Sequence, residues 1–218
     1  MAKRRVAILI SGRGSNMTAL IEAAKAENFP AEIVLVISNI ADAGGLAKAA
    51  EAGIETATIE SKPFGKDREA FERKLHDTLV AHTIDLVCLA GFLRLLTPWF
   101  VTQWDGRMLN IHPALLPSYR GLHTHERALA DGVKIHGATV HFVVPEMDSG
   151  PIVMQGAVAV RDDDTPDTLA ARVLEVEHRI YPDALRLVAC GGTRLEDGRC
   201  KTEANGSPDD TLISPAII

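Results

Sequence analysis

The sequence predicts an α/β protein: a doubly wound, mixed but mostly parallel sheet with helices on both faces. Two observations carry this. Through the first half, short runs that are apolar at nearly every position alternate with amphipathic stretches. A strand of that kind needs cover on both faces, which is the mark of a parallel sheet flanked by helices. In the second half, two strand-like runs are joined only by the turn-rich link Pro145-Glu146-Met147-Asp148-Ser149-Gly150-Pro151. A link so short makes that pair antiparallel, so the sheet is mixed.

Residues 6–11 are the first apolar run, and residues 15–27 follow with Met17, Leu20, Ile21 and Ala24 at helical spacing. Residues 32–38 are a second, β-branched strand, and a helix near 44–52 stops at Gly53. A third strand covers 54–59, and a charged helix over 67–82 carries Phe71, Leu75 and Leu79 on one stripe. Residues 84–90 form a fourth, wholly apolar strand. Arg107 to Ile111 is a short strand, and 124–131 is a helix with Thr124 as its cap. Residues 135–144 are a long strand in which Ala138, Val140 and Phe142 alternate with polar residues, and 152–160 is its partner. Thr165-Pro166-Asp167 opens a long helix over 167–188. Residues 1–190 thus read as one domain, with an N-terminal half of about 1–105 and a C-terminal half of about 106–190. The polar, Gly-rich tail 191–218 is expected to be poorly ordered.

The chain has 218 residues and is 46% hydrophobic, enough for a stable core without metal or disulfide staples. A net charge of -6 is not the footprint of a nucleic-acid binder, nor is it extreme enough for a disordered acidic chain. Cys88, Cys190 and Cys200 match no disulfide or zinc framework, which fits a reducing, cytoplasmic setting. Cys88 lies inside Leu86-Val87-Cys88-Leu89-Ala90 and reads as a small core hydrophobe. Lys3, Arg4 and Arg5 before an apolar run imitate a signal peptide, but no cleavage pattern follows. No stretch reaches the roughly 18 apolar residues of a membrane span.

Two segments point to chemistry. Ser11-Gly12-Arg13-Gly14-Ser15-Asn16 joins the first strand to the first helix. Its glycines permit a sharp turn that presents backbone N–H groups at a helix N-terminus, where the dipole favours an anion. The third glycine of a dinucleotide fingerprint would fall at Met17, and the second strand ends in Ser38-Asn39 without a ribose-binding carboxylate. What remains is a site for one phosphate, or a structural tight turn. The second segment is Asn110-Ile111-His112-Pro113. Residues two apart on a strand face the same side, and Pro113 keeps His112 extended. Asn can donate to an oxyanion, and His can carry a proton near neutral pH. The alternative is a structural histidine beside a strand-end cap. Asp148 is a third candidate, or an ordinary turn aspartate. His123-Thr124-His125 lacks accompanying metal ligands and reads as a substrate loop or helix cap. His136 and His141, five apart, face opposite sides of their strand, while His76 and His82 read as solvated.

Taken in order, these segments resemble the glycinamide ribonucleotide transformylases, folate-dependent formyltransferases of purine synthesis. The likeness runs from about residue 6 to 188. It rests on Gly12-Arg13-Gly14-Ser15-Asn16, Leu89-Ala90-Gly91-Phe92-Leu93-Arg94, Leu109-Asn110-Ile111-His112-Pro113, Leu122-His123-Thr124-His125, Asp148-Ser149-Gly150-Pro151 and Glu177-His178-Arg179-Ile180-Tyr181-Pro182. The resemblance implies a formyltransferase-like fold with a Rossmann-like N-terminal half. It implies that 10-formyltetrahydrofolate is the co-substrate, that the amine of glycinamide ribonucleotide is the acceptor, and that no metal takes part. By the same resemblance Asn110 would hold the oxyanion, His112 would donate a proton and Asp148 would pair with His112. Gly14, Ser15, Asn16 and Glu177 would bind the ribonucleotide. Arg68, Leu93, Arg94, Leu95, Leu96, Asn110, Val144 and Asp148 would bind the folate. Positions 174 and 176 are Leu and Val, where some relatives carry Gln. The implied partners are small molecules, not nucleic acid or membrane, with the chain a monomer or homodimer. A formyltetrahydrofolate hydrolase would carry a regulatory domain before the first strand, and a tRNA formyltransferase an RNA-binding domain after the last helix. The first strand starts at Val6, which favours the ribonucleotide over water as acceptor. A non-catalytic nucleotide-binding module would need the Gly12–Asn16 loop but not Asn110, His112 and Asp148 together.

Overall fold

The structure, a computed structural model, describes residues 2–202. Seven strands form one sheet: β1 (Arg4–Ile10), β2 (Ala31–Ser38), β3 (Glu55–Thr58), β4 (Leu86–Leu89), β5 (Met108–His112), β6 (Ile135–Phe142) and β7 (Ile152–Ala159). Their spatial order is β3-β2-β1-β4-β5-β6-β7. Every pair from β3 to β5 is parallel, and β6 and β7 turn antiparallel, as the short link at 145–151 requires. The helices are α1 (Ser15–Ala24), α2 (Gly44–Glu51), α3 (Arg68–Ala81), α4 (Pro98–Gln103), α5 (Thr124–Ala130) and α6 (Pro166–Ala189).

Alternation along β1 explains its continuous apolar run. Val6, Ile8 and Ile10 join a core with Met17 and Leu20 of α1 and Val173 and Leu185 of α6. Ala7 and Leu9 point the other way, into a second core with Phe71, Leu75 and Leu79 of α3 and Phe100 of α4. Tyr181 of α6 is fully buried, and its hydroxyl donates to the Leu89 and Leu109 carbonyls at 3.0 and 3.2 Å, tying α6 to β4 and β5. Cys88 sits beside it, and burial pushes its thiol up to about 12. Neighbouring β1 and β4 send their chains to opposite flanks of the sheet, so a crevice opens beyond their carboxyl ends. Across it, Ser11 N–H donates to the Gly91 carbonyl at 3.0 Å and Leu93 N–H to the Ser11 hydroxyl at 2.8 Å.

The structure departs from the sequence reading in four places. Residues 193–202 are an ordered antiparallel hairpin, β8 (Thr193–Glu196) and β9 (Arg199–Thr202), where a poorly ordered tail was expected. Asp197 and Gly198 at its turn both have positive φ, the twist that two-residue hairpins favour, and this local signal outweighs the polar composition. Residues 203–218 of that tail lie outside the described residues. Helix α4 was not anticipated, although Thr97 accepts from Phe100 N–H as its cap and Pro98 fills the first turn. Thr124 is not a cap: it is buried as the first residue of α5, and left-handed His123 precedes it. His76 and His82 are both half-buried rather than solvated. The His76 ring meets Trp99 and Trp104 edge-on, and His82 bonds the Thr78 carbonyl and Glu55.

Candidate active site

Asn110 and His112 point to one side of β5, and His112 is its last residue. The antiparallel register sets His141 of β6 opposite Asn110 and Thr139 opposite His112. Directly opposed residues share a face, so four polar side chains stand together where most of the sheet is apolar. Thr139 serves the backbone. Its hydroxyl accepts from Leu116 N–H at 3.0 Å and donates to the Ala114 carbonyl at 2.7 Å, and Gln155 of β7 donates to the Leu116 carbonyl at 2.9 Å. These bonds pin the loop after Pro113 and so direct the chain that follows.

That chain returns to His112. The Tyr119 carbonyl lies 2.9 Å from Nε2 of His112. A carbonyl can only accept, so Nε2 carries the hydrogen and Nδ1 is the nitrogen free to take or give a proton. Nδ1 is 3.5 Å from Oδ2 of Asp148, within ion-pairing range, and the His112 and Asp148 side chains are 6% and 12% exposed. Oδ2 of Asp148 also accepts from Gly121 N–H at 2.8 Å. Asp148 itself has φ of 50°, on the turn between β6 and β7.

His141 orients Asn110. Its Nδ1 lies 2.9 Å from the Phe142 carbonyl and therefore donates. Burial lowers its pKa and keeps it neutral, so Nε2 is left as an acceptor for the Asn110 amide at 3.2 Å. A neutral His141 makes no ion pair with Asp148, whose Oδ1 is 3.8 Å away. One amide hydrogen of Asn110 is thus committed, and the other remains for a ligand in the cleft that Asn110 lines.

Elsewhere in the lining of the same cleft, Nδ2 of Asn16 donates to Oε2 of Glu177 at 2.6 Å. Burial raises the Glu177 carboxyl, and the Asn16 bond opposes that shift. Oδ1 of Asn16 is buried with no hydrogen-bond partner among the described residues, which leaves it able to accept from a ligand. Gly14 precedes α1 with φ of 70°, and a Cβ there would lie 3.0 Å from the Gly45 backbone, so the tight turn requires glycine. The cleft has a volume of about 860 Å³ and is walled by Leu93, Leu95, Leu96, Val101, Val143 and Val144. A second cavity of about 400 Å³, lined by Arg4, Asp85 and Arg107 among others, contains none of these groups.

The model of the family described as "Formyl transferase" matches residues 4–185. "Phosphoribosylglycinamide formyltransferase" of Escherichia coli (strain K12) is 45% identical over 93% of this chain and 92% of its own length. "Trifunctional purine biosynthetic protein adenosine-3" of Bos taurus is 50% identical over 90% of this chain, which spans 20% of that longer protein. The crystal structure of "glycinamide ribonucleotide transformylase 1 from Symbiobacterium toebii" superposes with a TM-score of 0.89 at 42% identity, covering 92% of this chain and 94% of the other. This chain belongs to the formyl transferase family.

The formyl transferase fold brings together Asn110, His112 and Asp148 as described, and Asn16 with Glu177. Leu93, Arg94, Leu95, Leu96 and Val144 line the same cleft. Gly14 and Ser15 adjoin Asn16 but do not line it. Arg68 stands behind the wall, its guanidinium donating to the Leu95 carbonyl at 3.3 Å. Leu174 and Val176 do not line the cleft either, and Val176 faces β7 at Gly156. His123 and His125 diverge: His123 is 3.4 Å from Glu126, while the His125 ring packs against His136 at 5.3 Å. His136 and His141 keep separate partners, as their spacing predicts. Sequence reasoning missed His141, the Tyr119 carbonyl and Gly121 N–H. His141 becomes visible once the β5–β6 register is known, whereas a backbone donor or acceptor leaves no mark in residue type.

Proposed function

We propose that the chain transfers the formyl group of 10-formyltetrahydrofolate to the amine of glycinamide ribonucleotide, giving formylglycinamide ribonucleotide and tetrahydrofolate in purine biosynthesis. The observation that carries this reading is the convergence of Asn110, His112 and Asp148 in a cleft lined by both polar and apolar groups. The polar lining includes Asn16, whose Oδ1 has no partner among the described residues, and the buried Glu177, which suits the glycinamide side of the ribonucleotide. The start of α1 at Gly14, Ser15 and Asn16 is the phosphate site of this reading, because N–H groups there have no helical partner. The apolar lining of Leu93, Leu95, Leu96 and Val144 suits a flat ring system, with Arg68 bonded to the Leu95 carbonyl.

The folate supplies an activated formyl carbon. The free N–H of Asn110 stabilises negative charge on the formyl oxygen, and its direction is set by His141. His112 holds its mobile proton on Nδ1 and delivers it to the leaving nitrogen, while Asp148 stabilises the protonated ring. The acceptor amine attacks the formyl carbon, making the new C–N bond and a tetrahedral oxyanion. Collapse then breaks the old C–N bond as the leaving nitrogen takes the proton from His112, and the proton shed by the acceptor nitrogen restores His112. Small-molecule substrates and a cytoplasmic setting follow from this reading. Among the described residues no helix is long and apolar enough to cross a membrane.

The test follows tetrahydrofolate release from 10-formyltetrahydrofolate with and without glycinamide ribonucleotide. Release should depend on the ribonucleotide, and equal turnover without it would assign water as the acceptor and overturn the proposal. His112→Ala should lose about 10²–10⁴-fold in kcat while still binding the ribonucleotide in calorimetry. A near-normal rate would remove His112 from its role.

A further inference from the structure

The segment between the Pro113–Pro117 loop and α5 is bound on both sides. Tyr119, Gly121 and His123 have φ of 56°, 80° and 58°, so left-handed residues alternate with Arg120 and Leu122. Two of the three are not glycine, a conformation that costs energy and persists only where contacts impose it. On the side of the cleft, the Tyr119 carbonyl meets His112 and Gly121 N–H meets Asp148. On the other side stands Arg127 of α5. Its guanidinium donates to the Arg120 carbonyl at 2.7 Å and reaches the Leu122 carbonyl at 3.5 Å. It also lies 5.4 Å from the centre of the Tyr119 ring.

The Arg120 carbonyl and Gly121 N–H belong to one planar trans peptide, in which the two groups point in opposite directions. Arg127 grips one end of that peptide and Asp148 the other. Fixing the carbonyl therefore fixes the direction of the N–H, and a cation on the carbonyl strengthens the N–H as a donor. We propose that Arg127 is a positioning residue for the formyl-transfer centre, setting Asp148 through the Arg120–Gly121 peptide and His112 through Tyr119. The proposal deepens the functional reading above and rests on it. Arg127 is exposed and is not itself a cleft-lining residue; it meets the lining only from behind, at the Leu122 carbonyl, and touches none of the reacting groups, so its effect is on orientation rather than on chemistry.

The experiment compares wild type, Arg127→Ala and Arg127→Lys in steady-state kinetics and in amide and histidine-ring ¹⁵N NMR. Arg127→Ala should lower kcat about tenfold or more, because small misplacements of reacting groups are costly. The KM for glycinamide ribonucleotide should stay within about twofold, since Arg127 contacts neither Asn16 nor Glu177. The Gly121 amide resonance should move, and the Nε2 resonance of His112 should shift as its bond to the Tyr119 carbonyl loosens. Arg127→Lys keeps a donor for one carbonyl and should restore part of the rate. A purely structural role would lower the melting temperature and leave kcat per folded enzyme and the Gly121 signal unchanged, and that result overturns the proposal. A lower kcat with an unmoved Gly121 amide overturns it too. Absence of ribonucleotide-dependent turnover in the wild type would instead overturn the functional reading, with the Gly121 and His112 signals still testing the clamp.

Discussion

At the scale of single residues, the site is built from side chains whose donors and acceptors are already assigned before a ligand arrives. His141 is the clearest case. Its Nδ1–H is spent on the Phe142 carbonyl, so a neutral ring has only an acceptor left for Asn110. His141→Ala should free the Asn110 amide to rotate and lower kcat by about 10- to 100-fold, with a smaller effect on ribonucleotide KM. Steady-state kinetics check this, and a rate within about twofold of wild type would show that Asn110 needs no such partner. Asn110 and His112 were legible in the sequence because the two-residue period of a strand is local. His141 was not, because two residues of different strands become neighbours only through register, and a lone histidine in an apolar strand has an equally good structural explanation.

At the scale of elements, α6 is pressed closely onto the sheet. A Cβ at Gly156 of β7 would come within 2.3 Å of Val176 Cγ1 and 3.0 Å of Ile180 Cγ2. Gly156→Ala should therefore destabilise the fold by about 1–3 kcal/mol through overpacking. The expected sign is a lower midpoint in urea unfolding at an unchanged slope. An unchanged midpoint would mean that α6 shifts off β7 at no cost. The apolar strands and the long amphipathic helices were readable because burial on two faces, or along one stripe, writes itself into composition. Helix α4 and the β8–β9 hairpin escaped because each is specified by a short local device. For α4 it is Thr97-Pro98 and for the hairpin Asp197-Gly198, within segments that carry no periodic pattern.

At the scale of the whole molecule, buried neutral histidines set the response to acid. Burial lowers the pKa of His125, His141 and His178 and takes His136 to about 4 from an ordinary value of 6.5. Below 6.5 the unfolded chain then binds more protons than the folded one, so stability present above 6.5 is lost as pH falls toward 4. His82 is shifted up by the Thr78 carbonyl and Glu55 and works in the opposite sense, as does Glu177, whose contribution is lost as pH rises through its elevated value. The four lowered histidines are each more deeply buried than His82, so the destabilising sense dominates. Thermal unfolding between pH 7.5 and 4.5 should show a falling midpoint below about 6.5, and His136→Asn should flatten that limb. A midpoint constant from pH 7 to 5 would contradict the assignment.

By itself the sequence determined the mixed sheet, the glycine turn before α1 and the shared face of Asn110 and His112, since each follows from periodicity or turn chemistry within a few residues. The tertiary structure alone decided that Asp148 lies 3.5 Å from His112 and that Asn16 meets Glu177, 161 positions away. It also decided that the Tyr119 carbonyl and Gly121 N–H complete the centre. The physical reason is the same in each case. Local patterns encode which face a side chain takes, whereas contacts between distant segments depend on strand register and loop conformation, to which the whole packed core contributes.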